Sequence, residues 1–136
     1  MSFIQSPNLI LRLTMAVILL MHSVPGMFNG GVYEFGEYYL NEAGFSPAGL
    51  PVAWLIKLSH VLAAICFLMN RFVSWAAWAT IVVLIAGILM VHLPNGWYVV
   101  GAGRNGIEFN ILMIAVCIHF IYPNGLRWRA NVHAVL

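Results

Sequence analysis

Four long apolar stretches, each close to the length that crosses a bilayer's hydrocarbon core, constrain this chain more than any other feature. They run approximately over Leu9–Phe28, Pro51–Asn70, Ser74–Leu93 and Ile107–Tyr122, against the roughly 17 to 25 residues a helix needs to span about 30 Å of hydrocarbon. Lipid offers a backbone no hydrogen bonds, so a segment of this kind satisfies its own polar groups as a helix. The expected fold is all-α: a four-helix transmembrane bundle forming one domain over residues 1–136. Composition agrees, since 62% of the residues are hydrophobic and 7% are charged, against about 25% charged in ordinary soluble domains. A soluble fold of this size has too few polar side chains to cover itself. The first stretch is followed by Ser23-Val24-Pro25-Gly26 and not by a small-x-small cleavage site, so it reads as a retained helix.

The connections differ in character. Asn70-Arg71-Phe72-Val73 is short enough to make the second and third segments antiparallel neighbours. Residues 27–50 interleave Glu34, Glu37 and Glu42 with Tyr33, Tyr38 and Tyr39, which suggests a short interfacial helix with tyrosines at headgroup depth. Residues 94–106 carry Pro94, Gly96, Gly101, Gly103 and Gly106 beside Trp97 and Tyr98, an ordered turn structure anchored at the interface. A cytoplasmic amino terminus puts Arg12, Arg71, Arg127 and Arg129 on the inner side and leaves Arg104 outside. By the positive-inside rule both termini are then cytoplasmic, and the 27–50 and 94–106 connections face outward. The expected location is a membrane, crossed several times, with the bacterial inner membrane as the specific one.

Polar groups at membrane depth are the candidates for function, because an ionisable residue near the bilayer centre costs roughly 2.5–3.5 kcal/mol on insertion scales and so tends to face a cavity or a partner. Lys57 and His60 are three apart and share a helix face. His22 lies toward the outer end of the first segment, His92 closes the third, and Glu108 and Asn110 open the fourth, with Arg104 four residues before Glu108. His22, Lys57, His60, His92, Arg104 and Glu108 therefore converge on one level, an outward-facing polar pocket. Bland alternatives stand beside this: Lys57 snorkelling to the interface, His92 as a helix-end residue, Arg104 and Glu108 as a structural ion pair, His119 as a helix–helix hydrogen-bonding group. His22 and His60 are close enough in depth to permit a haem ligand pair without indicating one. No metal is expected, since no His-x-x-x-His or Glu-x-x-His spacing occurs. Cys66 and Cys117 have no neighbouring cysteine for redox work and read as small buried hydrophobes.

The run His92-Leu93-Pro94-Asn95-Gly96-Trp97-Tyr98, then Gly101, Gly103 and Asn105-Gly106-Ile107-Glu108-Phe109-Asn110, resembles the signature of the DoxX family of small four-helix membrane proteins. Leu11-Arg12-Leu13 with His22, and the Asn70-Arg71 turn, fit the same pattern, so the resemblance extends over roughly residues 9–125. It implies His92, Asn95, Gly96, Gly106 and Glu108 as motif positions. Some members of that family are membrane subunits of thiosulfate:quinone oxidoreductase, and others are linked to membrane redox complexes and oxidative-stress defence. Many carry a glutamate on the second helix where this chain has His60 beside Lys57.

Two functions follow as expectations. In the first, the chain is a subunit or accessory of a quinone-linked redox complex, its pocket of His22, Lys57, His60, His92, Asn95, Arg104 and Glu108 taking a quinone-type or sulfur-oxyanion ligand. In the second, it is a non-catalytic module binding a partner protein or lipid through Tyr33, Tyr38, Tyr39, Trp97 and Tyr98. The cofactor is left open, a quinone being compatible with the pocket and haem the weaker candidate. Expected partners are the lipid bilayer and either other membrane subunits or a second copy of the chain; the scattered cations exclude a nucleic-acid footprint.

Overall fold

The computed structural model describes residues 7–101 and 104–125. Among these the protein is all-helical, with five helices and no strand. Helix α1 is Leu9–Phe28. A single turn at Gly31–Tyr33 widens into a π-helical stretch, Glu34–Phe45, the two forming α2. Helix α3 is Gly49–Met69, and α4 is Val73–Gly87, continued by π-helical Ile88–His92 and a 3₁₀ turn, Leu93–Asn95. Helix α5 is Glu108–Ile121. Arg127 and Arg129, on which the expected orientation partly rests, and Gly103 of the loop signature lie outside the described residues.

Among the described residues, three helices are long and apolar enough to cross a membrane: Leu9–Phe28, Gly49–Met69 and Val73–Asn95. Only 28% of each span is buried inside the protein, so most of each helix needs an apolar solvent. Met21, Leu55, Leu62, Trp75 and Val82, between 62% and 78% exposed, form surface that water would not tolerate as contiguous patches and lipid covers. The fourth expected span falls short. Helix α5 has 14 residues, about 21 Å at 1.5 Å per residue. Its amino-terminal extension is replaced by the preceding loop: Ile107 N donates to Gly96 O, Glu108 N to Trp97 O and Gly106 N to Tyr98 O, all at 3.1 Å. Non-helical backbone satisfied inside the protein in this way is what membrane depth permits. Gly106 is buried, and a Cβ there would collide with the Trp97 and Tyr98 backbones.

Helix α3 packs against α1 and α4, and α5 packs against α4. Buried positions Arg12, Met15, Ala16, Leu19 and Ser23 give α1 a single inward stripe. Alanines 16, 63, 64, 76 and 77 are all buried, and such small residues let helix backbones approach where no hydrophobic drive from water exists. Larger groups fill the space between them, notably Phe67 against Phe120, ring centroids 5.1 Å apart. Helix α2 lies close on the start of α3: a Cβ on Gly36 would sit 2.6 Å from Leu50 Cα, so only glycine fits. The α3–α4 turn uses left-handed Asn70 and Phe72, φ 54° and 56°, with Arg71 N donating to Cys66 O at 3.1 Å.

Arg12, expected at or near the inner face, stands in the first turn of α1. It is 2% exposed and its Nη1 donates to Phe67 O at 2.9 Å, meeting one of the carbonyls a helix end leaves open. The guanidinium therefore fastens the start of α1 to the end of α3.

Candidate functional site

A cavity of about 470 Å³ opens among the helices at the end where α1 finishes and α3 begins, and every element contributes to its walls. Small-molecule sites commonly have this size and a mainly apolar lining with a few convergent polar groups. Here the apolar walls include Phe35 and Leu40 of α2, Leu84 and Met90 of α4, and Phe109 and Met113 of α5. The polar groups are His22, Lys57, His60, His92, Asn105 and Asn110. No carboxylate lines it, and Lys57 makes no ion pair among the described residues.

His60 is the group whose chemistry is incomplete. It is 3% exposed, and neither ring nitrogen has a hydrogen-bond partner; Ser23 Oγ is the other buried side-chain polar atom left so among the described residues. A neutral imidazole has one donor and one acceptor to satisfy, and leaving such groups bare in a buried setting costs about 1–3 kcal/mol each. The His22 ring stands edge-on to it, centroids 5.5 Å apart and planes at 71°. Lys57, one turn before His60, sends its ammonium to His22 O at 2.9 Å. Gly26 leaves room for the lysine stem, a Cβ there lying 3.8 Å from Lys57 Cε. One of three ammonium donors is thereby used.

His92 is held differently. Its Nδ1 lies 2.7 Å from Asn105 O, and a carbonyl only accepts, so Nδ1 carries the proton and a neutral ring presents Nε2 as an acceptor. This contact also pins the loop's end to α4.

Of the residues expected in the pocket, His22, Lys57, His60 and His92 line the cavity, and Asn95, Arg104 and Glu108 are not among its walls. Asn95 Nδ2 donates back to Val91 O at 2.7 Å. The Glu108 carboxylate accepts from Val99 N at 2.8 Å and makes no ion pair with Arg104, which is exposed on the loop. Both are spent on the local backbone. His119 Nε2 lies 3.3 Å from Asn8 Oδ1, tying the end of α5 to the start of α1.

The structure also brings to the cavity residues not among those expected to line it. Asn110 is buried and lines the cavity; a polar residue on an otherwise apolar segment, it met the criterion that singled out His60. Phe35 and Leu40 bring α2 into the site, where an interfacial helix was expected, and Tyr39 Oη holds it there by donating to Met90 O at 2.6 Å. The close Gly36 and Leu50 backbones were the signal, visible only as an unremarkable glycine. Among the described residues, no group of three or more histidine, cysteine or acidic side chains is placed to hold a metal.

A family model described as DoxX matches residues 8–93. The match takes in α1 to the 3₁₀ turn after α4 and ends before the loop that packs on α5. Neither a curated protein nor a solved structure matches the chain.

Proposed function

Because this chain belongs to the DoxX family and is a membrane protein, we propose that it is a ligand-binding subunit or accessory of a membrane-bound, quinone-linked redox complex, with the cavity as its ligand site. One observation carries the reading: a buried histidine with both ring nitrogens unpartnered, on a wall shared with His22, Lys57 and His92. A quinone carbonyl or a sulfur oxyanion supplies an acceptor for the remaining Lys57 donors and for a His60 N–H, and His60 is the group positioned to give or take a proton as such a ligand changes redox state. Glu108, engaged with Val99 N, has no part in this step. The multi-pass arrangement with inner termini, the outward-facing cavity and the bacterial inner membrane belong to the same proposal.

The test is purification from native membranes followed by lipid extraction, an absorption spectrum and an assay of thiosulfate-dependent quinone reduction, alone and with the products of neighbouring genes. Co-extracted quinone or activity in the reconstituted complex is the expected result. Absence of both, in both preparations, rules the redox role out.

A second reading is favoured by the aromatic rim. Tyr33, Tyr38, Trp97 and Tyr98 are between 52% and 63% exposed, with Tyr33 and Tyr38 edge-to-face at 6.1 Å, a surface suited to a partner protein or headgroups. Crosslinking that recovers one stoichiometric partner, with function unchanged in Lys57→Met and His60→Leu, would select it over the first.

A further inference from the structure

The cavity has a second hollow against it on the lipid-facing side. Ile18 of α1 and Phe109 and Met113 of α5 line it, and the same three residues line a second hollow of about 200 Å³ between those two helices, whose other walls include Thr14, Leu112 and Val116. The exposed lining of this groove is wholly apolar. Leu112 is 60% exposed, so the groove meets the surroundings on the hydrocarbon side. The close pairs among the long helices are α1 with α3, α3 with α4 and α4 with α5; α1 and α5 are tied at one end through His119 and Asn8, with the groove lying between them. A polar chamber thus adjoins an apolar slot across a wall made by Ile18, Phe109 and Met113.

The two halves ask for different things from one molecule. His22, Lys57 and His60 offer donors to a carbonyl or anionic oxygen, and the slot offers nothing to any polar atom. A water-soluble oxyanion answers the first and leaves the second unexplained. We propose that the ligand is a membrane-dissolved amphiphile that enters sideways between α1 and α5. Its acceptor-bearing head sits at His22, Lys57 and His60 and its hydrocarbon tail lies in the α1–α5 groove. This rests on the cavity being a ligand site, and adds the class of ligand and its route. A tail arriving from lipid gains nothing by escaping water, so the groove acts through shape and packing. Filling it removes the place for the tail while leaving the head's partners untouched.

The experiment uses the full chain in nanodiscs and two probes with one head, a decyl-substituted benzoquinone and the same benzoquinone without the chain. Binding is measured to wild type, Thr14→Trp, Leu112→Phe and His60→Leu in identical lipid, so that partitioning of the tailed probe cancels. The expected result is that each groove variant weakens the tailed probe by on the order of tenfold and leaves the short probe unchanged, while His60→Leu weakens both. Using two groove variants guards against one that fails to fold. Tailed-probe binding indifferent to both groove variants overturns the proposal, the groove then holding only bulk lipid chains, and leaves the cavity reading standing. Binding of neither probe to wild type overturns both, as does binding indifferent to His60→Leu.

Discussion

His60 separates stability from function in a measurable way. A buried polar group without partners costs free energy, and replacing it by an apolar group of similar shape is commonly neutral or stabilising. His60→Leu in the ligand-free protein is therefore expected to hold or raise the melting temperature in detergent while weakening ligand binding; a clear drop in stability would instead mark His60 as structural. Arg12 is the opposite case. Its buried guanidinium bonds Phe67 O, so Arg12→Met is expected to cost about 1.5–3 kcal/mol, the range for hydrogen bonds to charged groups, read as a lower denaturation midpoint. Both residues stand out in the sequence as polar letters in apolar text. For His60 the depth of the position was informative. For Arg12 the positive-inside rule accounts for which side a cation occupies and is silent on whether it faces lipid headgroups or the end of a neighbouring helix.

Among the elements, the 94–106 loop and α2 show where periodicity stops being a guide. Apolar runs located α1, α3 and the whole span Val73–Asn95 to within two residues because length and hydrophobicity are properties of the run itself. The loop's structure depends on pairing Gly96, Trp97 and Tyr98 carbonyls with Gly106, Ile107 and Glu108 amides, contacts between residues about ten apart that no local pattern encodes. Glu108 then serves the loop through Val99 N. Glu108→Ala is expected to open the loop and speed its cleavage by added protease, and Glu108→Gln, which keeps an acceptor, to do so far less. Helix α2 was read as an amphipathic interfacial piece from its tyrosines and acids; its role in the cavity rests on Gly36 meeting Leu50 and on Tyr39 reaching Met90 O. Removing that hydroxyl in Tyr39→Phe should cost about 1 kcal/mol and appear as faster amide exchange confined to Glu34–Phe45.

For the molecule as a whole, the arrangement in the membrane is the testable matter. With Cys66 and Cys117 replaced by serine, an impermeant maleimide is expected to label Glu37→Cys from outside intact cells and Arg71→Cys only after permeabilisation; the reverse pattern would invert the topology. Three of the four expected spans are long and apolar enough to cross a membrane; the last is the shortest in the sequence, at Ile107–Tyr122, and the structure trims it further to Glu108–Ile121. That shortness has a mechanical consequence. Helices α1 and α3 measure about 30 Å and α5 about 21 Å, so the hydrophobic belt is lower on one flank than on the others. Such mismatch is relieved by thinning the bilayer locally or by tilting the protein, at fractions of a kcal/mol per Å. The flank where the membrane is drawn thin is the one that carries the seam between α1 and α5. A molecule moving in the leaflet past this protein meets its lowest wall at the place where the groove also lies.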